Sequence, residues 1–303
     1  MQAGENCGAI PMAGPLLRGD LLARLRRLQW WLHEGNGAAR AGVSGRLRQP
    51  AAEFFDHRPY TPGDDPRYLD WRLLARLRRP FVRRGEARRG ATVALVVDAS
   101  ASMGIGDGAK LTVAAELAAA LAYLTLEQGG RVGLHLLGDA PTAVAPGRGQ
   151  PHLTALLTAL ERARPAGRVN LATRLPPLAH RWRGPTHAIL LSDLMQPAPE
   201  LDALGRVVAR GHHLDLIQIL DRADTEPDLD GPCRLVDPEG GAALRATVDG
   251  DLRAAYRQAV ATHIDAVRHL ARRHRMRHLR VAAATPMERA LIDYLALPGE
   301  AGR

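Results

Sequence analysis

Oxygen-bearing side chains alternate after an apolar run in Val96-Val97-Asp98-Ala99-Ser100-Ala101-Ser102-Met103-Gly104. A carboxylate followed at two-residue steps by two hydroxyls offers hard oxygen ligands, suited to Mg²⁺ or Mn²⁺ rather than zinc. A second carboxylate, Asp193, ends the apolar run Ala188-Ile189-Leu190-Leu191-Ser192. If the two runs are neighbouring parallel strands, both carboxylates stand at the carboxyl edge of one sheet, where ligands of open α/β folds bind. Mg²⁺ keeps several waters, so one or two carboxylates plus hydroxyls suffice. The competing reading of the spacing is that Asp98 and Ser100 only cap the helix that follows.

Other spacings fail their tests. The segment Gly104-Ile105-Gly106-Asp107-Gly108-Ala109-Lys110 lacks a glycine before Lys110 and a hydroxyl after it, so it is not a phosphate loop. Ser102-Met103-Gly104 lacks the first glycine of a nucleophile elbow. His274 and His278 are four apart, but no glutamate follows His274 and the neighbours are arginines, so a zinc pair is disfavoured.

The elements that must position Asp98 and Asp193 follow from alternating patterns. Residues 92–97 read as a strand buried on both faces, and 131–137, 186–192 and 213–220 as further strands. Residues 109–128, 151–164, 171–183 and 199–210 read as helices between them. A hairpin strand is expected at 142–145 and a short β pair near 234–236 and 244–248. Residues 251–274, 279–282 and 287–295 should form a long helix, a strand and a last helix. This order predicts a mostly parallel sheet with helices on both faces. Ahead of it, Asp20 is placed to cap a helix carrying Leu21, Leu25, Leu28 and Leu32. Residues 46–90 are arginine-rich and hold a Pro62-Gly63 turn. The expected organisation is an N-terminal helix and appendage over 1–90 and an α/β domain with a helical extension over 91–303.

The chain has 303 residues, 46% hydrophobic and 24% charged, which excludes wholesale disorder. No run of 18 apolar residues occurs; the nearest, 111–126, is broken by Glu116 and reads as a buried helix. No basic stretch precedes an apolar block near Met1, so a secretory signal is not expected. Cys7 and Cys233 form no close pair, which fits a reducing, cytoplasmic setting. The net charge is +9, yet Lys110 is the only lysine among the basic residues. With abundant Ala, Gly, Leu and Pro, that bias matches GC-rich bacterial coding and weakens a nucleic-acid reading of the charge.

Asp98-x-Ser100-x-Ser102 resembles the metal-ion-dependent adhesion site of von Willebrand factor A-type domains. Glu53-Phe54-Phe55-Asp56-His57-Arg58-Pro59-Tyr60-Thr61-Pro62-Gly63-Asp64-Asp65-Pro66-Arg67-Tyr68-Leu69-Asp70-Trp71 resembles the hallmark block of the bacterial family called domain of unknown function 58. The resemblance implies a von Willebrand factor A-like sheet with Asp98, Ser100, Ser102 and Asp193 around Mg²⁺ or Mn²⁺. It implies as well an acidic protein ligand, and a MoxR-type AAA+ ATPase as cytoplasmic partner. Arg58, Arg67 and Arg72 are the candidate docking residues for that partner, against internal ion pairing as the plainer role. The threonine of the resembling site falls on Val169 in Gly167-Arg168-Val169-Asn170-Leu171, and Thr173 lies four positions on. The site is therefore expected either to carry water in the gap or to have lost regular metal binding. The function expected is a non-catalytic adaptor; the alternatives are an arginine-rich nucleic-acid module and, last, a Mg²⁺-dependent phosphohydrolase.

Overall fold

The computed structural model describes residues 16–17, 19–34, 56–60, 79, 81–84, 92–106, 109–241 and 243–297. Helix α1 spans Leu21–Glu34, and Asp56–Pro59 (β1) pairs antiparallel with Phe81–Arg84 (β2). Then follow β3 (Thr92–Asp98), α2 (Ala109–Glu127), β4 (Arg131–Leu137), β5 (Thr142–Gly147), α3 (Gln150–Glu161) and α4 (Leu171–Arg181). The second half holds β6 (His187–Ser192), α5 (Ala198–Ala209), β7 (His213–Leu220), a single turn α6 (Arg222–Thr225), β8 (Gly231–Leu235) and β9 (Leu244–Val248). Helix α7 (Gly250–Arg273), β10 (Arg277–Ala282) and α8 (Met287–Ala296) complete the chain.

Six strands form one sheet in the order β10-β7-β6-β3-β4-β5. Every pairing is parallel except β4–β5. This is the α/β class expected. Strand period sets the two cores: Val93, Leu95 and Val97 of β3 face the layer of α2, α3 and α8, while Ala94 and Val96 face α4, α5 and α7. From β3 the chain moves through α2 to β4 on one side, and later returns to β6 on the other. The carboxyl ends of β3 and β6 therefore flank the point where strand order reverses, the usual crevice of such sheets.

Helix α2 is long and apolar enough to cross a membrane by composition, yet it is buried in the core. Its one buried acid, Glu116, takes Arg24 of α1 at 3.3 Å, and Arg24 also donates to Glu288 at 2.6 and 2.8 Å. Glu161 at the end of α3 accepts from the backbone N–H groups of Leu16 and Leu17 at 3.0 and 2.9 Å, tying the N-terminal segment to the sheet domain.

Helix α3 ends three residues before the expected 164, because Pro165 disfavours helical backbone in the residue ahead of it. Helix α4 runs through Pro176 and Pro177 and stops at Arg181, two residues early. Strand β8 starts three residues before expectation, and the turn of helix α6 had no periodicity to announce it.

Two half-buried rings make the fold sensitive to acid. Burial, then the charge of Arg181, lowers His135 to about 4; burial, then Arg268 and Arg280, does the same to His278. The unfolded chain takes up these protons near 6.5, before the folded one can, so stability present above pH 6.5 is lost as pH falls towards 4. The expected loss is on the order of 2 kcal/mol per ring after allowing for partial exposure. Urea midpoints at pH 7 and pH 5 check it: His135→Leu should show the smaller difference. Asp98, pushed up to about 6, works with the opposite sign and is common to both proteins.

Candidate functional site

Asp98 closes β3, and Ser192 and Asp193 lie at the end of the adjacent β6, whose Leu191 stands beside Val97 in the register. Asp98 and Ser100 are fully buried, and Asp193 nearly so. Asp98 Oδ1 accepts from Ser100 N at 2.9 Å. Its Oδ2 accepts from Ser192 Oγ at 2.6 Å and from Gln196 Nε2 at 3.3 Å. Ser100 stands at the head of the short 3₁₀ turn Ala101–Gly104 without a side-chain cap bond. The capping reading of its hydroxyl therefore fails. That hydroxyl instead lies 2.9 Å from Ser102 Oγ.

Backbone contacts hold this loop. Ala99 N donates to Leu137 O, Ala101 N to Gly167 O, and Ala166 N to Ala99 O. Gly167 has φ of +68°, and a Cβ there would sit 2.8 Å from Asp139 Cβ, so no other residue type fits easily. On the β6 side, Leu194 adopts φ of +52°, a costly conformation for a leucine. Its N–H donates to Ser192 Oγ and its carbonyl faces His263 Nε2 at 2.7 Å, and this sharp bend turns Gln196 back to Asp98.

Lys110, fully buried at the start of α2, places Nζ 3.2 Å from Asp193 Oδ2 and 2.8 Å from Asp224 Oδ1. Asp224 also accepts from Asp221 N, within a capping box at α6. Desolvation first, then Asp193, raises the Asp98 carboxyl to about 6 against the pull of Ser192 and Ser100. Burial likewise pushes Asp224 up, against Lys110.

Of the expected ligands, Asp98, Ser100, Ser102 and Asp193 reach one edge, but Asp193 arrives with an ammonium on it. Val169 is buried in the core between β3, α4 and α5. Thr173 is exposed on α4, where its hydroxyl donates to Asn170 O and its N–H to Asn170 Oδ1. It does not replace the missing threonine, because capping of α4 claims it. Arg58 lies on β1; Arg67 and Arg72 fall outside the described residues.

Sequence reading missed Ser192, Gln196, Lys110, Asp224 and Glu239. The lone lysine of an arginine-rich chain was the one signal available. Glu239, in the β8–β9 turn, lies beside Ser102, and burial followed by the charges of Asp98 and Asp193 raises its carboxyl.

Among the described residues no three His, Cys, Asp or Glu side chains are grouped to hold a metal. A cation here would rest on one carboxylate, hydroxyls and water. Mg²⁺ tolerates that set. The 2.9 Å between the Ser100 and Ser102 oxygens matches the edge of about 3 Å in an octahedron with bonds of about 2.1 Å. Gln196 Oε1 is buried with no hydrogen-bond partner among the described residues, its Nε2 being committed to Asp98. The donor types fit a partly hydrated Mg²⁺ or Mn²⁺ beside Asp98.

The model of the family described as protein of unknown function DUF58 matches residues 56–266. The chain belongs to that family. The match runs unbroken across residue 90 and takes in both halves of the site. Among relatives of this DUF58 chain, the uncharacterized protein Rv1480 of Mycobacterium tuberculosis is 33% identical over 261 residues, covering 82% of each chain. Solved structures similar to this DUF58 chain include the conserved hypothetical protein BatB from Bacteroides thetaiotaomicron, at 11% identity and TM-score 0.42 over 68% of this chain and 98% of that one. A von Willebrand factor type A structure from Catenulispora acidiphila gives 17% identity and TM-score 0.35, over 57% and 42%.

Proposed function

We propose that this DUF58 chain is a binding protein whose cup at Asp98, Ser100 and Ser102 holds a divalent cation, Mg²⁺ or Mn²⁺, and through it an acidic side chain of a protein partner. One observation carries the reading. Asp98 is fully buried, yet Ser100 N, Ser192 Oγ and Gln196 Nε2, its hydrogen-bond partners among the described residues, are all neutral. A buried carboxylate without a counter-ion is costly, and a cation beside it removes that cost. A divalent ion held by one carboxylate and neutral hydroxyls keeps residual positive charge, which a partner's carboxylate can meet.

A second reading has its own support: Lys110 already gives Asp193 a cation, so the edge works with an ammonium in place of the metal. Calorimetric titration of Mg²⁺ into wild type and Asp98→Ala separates the two. The metal reading expects heat from the wild type and at least a tenfold loss of affinity, about 1.4 kcal/mol, in the variant. Equal heats from both overturn it.

The finer proposal is that the chain acts in the cytoplasm as an adaptor of a MoxR-type AAA+ ATPase. Its support is the hallmark block at 53–71, with Arg58, Arg67 and Arg72 as the docking residues. Co-purification with such an ATPase, reduced by charge reversal at these arginines, is the test.

A further inference from the structure

Strands β8 and β9 form a two-stranded sheet of their own, closed by the turn 236–243. At the turn end their large apolar side chains point away from the protein, Leu235 being 37% exposed, Val236 48% and Leu244 62%, while Val248 at the far end of β9 is buried. A hairpin held down by apolar packing would turn them inward. The residue of the turn that does face inward is an acid. Glu239 is half-buried, whereas the described residues around it, from Leu235 to Leu244, are exposed.

The turn is shaped to present that side chain. Asp237 Oδ1 accepts from Glu239 N at 2.9 Å, and Asp237 O accepts from Gly240 N at 3.2 Å. Gly240 takes φ of +95°, open to glycine. A Cβ on Gly241 would collide with the Asp237 carboxylate. Thus aimed, Glu239 lies beside Ser102: its Oε2 is 3.8 Å from Arg168 Nε, next to the Gly167 carbonyl that accepts from Ala101 N, while Arg168 Nη2 donates to Glu200 Oε1 at 3.2 Å. A further tie beside the hairpin, Arg253 to Asp230 at 3.3 Å, is exposed on both sides, and such pairs contribute little.

We propose that the β8–β9 hairpin is an intramolecular strap, in which Glu239 occupies the position over Ser102 where a partner's carboxylate docks. The inference rests on the cup being an acid-binding cation site and adds its regulation: a partner must displace the chain's own acid. Apolar residues held outward at the turn end leave that end few contacts to break when it lifts, with buried Val248 as the anchor at the far end.

Hydrogen exchange of residues 236–243, with and without saturating Mg²⁺, tests the strap alongside Mg²⁺ calorimetry. In the wild type Mg²⁺ should slow exchange of the turn by about tenfold. Glu239→Gln should exchange fast under both conditions and still give Mg²⁺ heat, at an affinity about tenfold weaker, because what Mg²⁺ lends the strap the strap lends Mg²⁺. Gly241→Ala, which shifts the turn and leaves Glu239 in place, should match it. Mg²⁺ heat in wild type and Glu239→Gln with identical turn exchange overturns the strap and leaves the cup standing. Absence of Mg²⁺ heat from the wild type overturns both.

Discussion

Asp215→Asn is expected to lower the stability of the fold by about 3–5 kcal/mol, the usual cost of removing one partner from a buried ionic cluster. Asp215 is 4% exposed and lies near the start of β7, at the edge of the sheet opposite the cup. It accepts from His187 Nε2 at 2.6 Å, from Tyr294 Oη at 2.7 Å and from both Arg277 Nε, at 3.0 Å, and Arg277 Nη2. The Arg277 guanidinium also lies 5.0 Å from the centre of the Tyr294 ring. One carboxylate therefore joins β6, β7, β10 and α8. Burial alone would raise its pKa, but His187 and Arg277 outweigh it and hold the group well below the usual carboxylate range. Its contribution is present above the unfolded value of 3.8 and is lost as pH falls below it. Urea unfolding at pH 7 measures the effect. The double variant Asp215→Leu with Arg277→Leu should cost less than Asp215→Asn, because it leaves no guanidinium facing an amide.

That cluster also marks where sequence reading ends. The strands are legible because β3, β6 and β7 are buried on both faces and read as unbroken apolar runs; 213–220 falls on β7 residue for residue. Helix ends are less legible, since they depend on which carbonyls find partners. Asp215 interrupts an apolar run, and nothing local says that Arg277, 62 positions away, answers it. The cup divides the same way. Asp98, Ser100 and Ser102 are spaced by the strand and loop that carry them, so their grouping is local. Asp193 joins them through strand order, which the alternating pattern supplies. Gln196, Asp224 and Glu239 arrive through a bend at Leu194, a single helical turn and a hairpin, none of which has a hydrophobic period.

Lys110→Met should be the most damaging single change at the cup, about 3–5 kcal/mol at neutral pH. It removes the ammonium held between Asp193 and Asp224 and replaces it with a side chain of similar length that has no charge. Lys110 is fully buried, and no water can take its place without a gap opening in the packing. Asp224, already pushed up by burial, then loses the opposing pull of Lys110 and binds a proton more readily, so the deficit should shrink between pH 7.5 and pH 5.5. Denaturant midpoints across that range measure the trend, and Lys110→Met combined with Asp224→Asn should recover part of the loss by removing one of the stranded charges. The result bears on the cup itself. A deficit that acid relieves means that the ammonium serves Asp193 and Asp224, which leaves Asp98 and the two hydroxyls as the part of the acidic edge still in need of a cation.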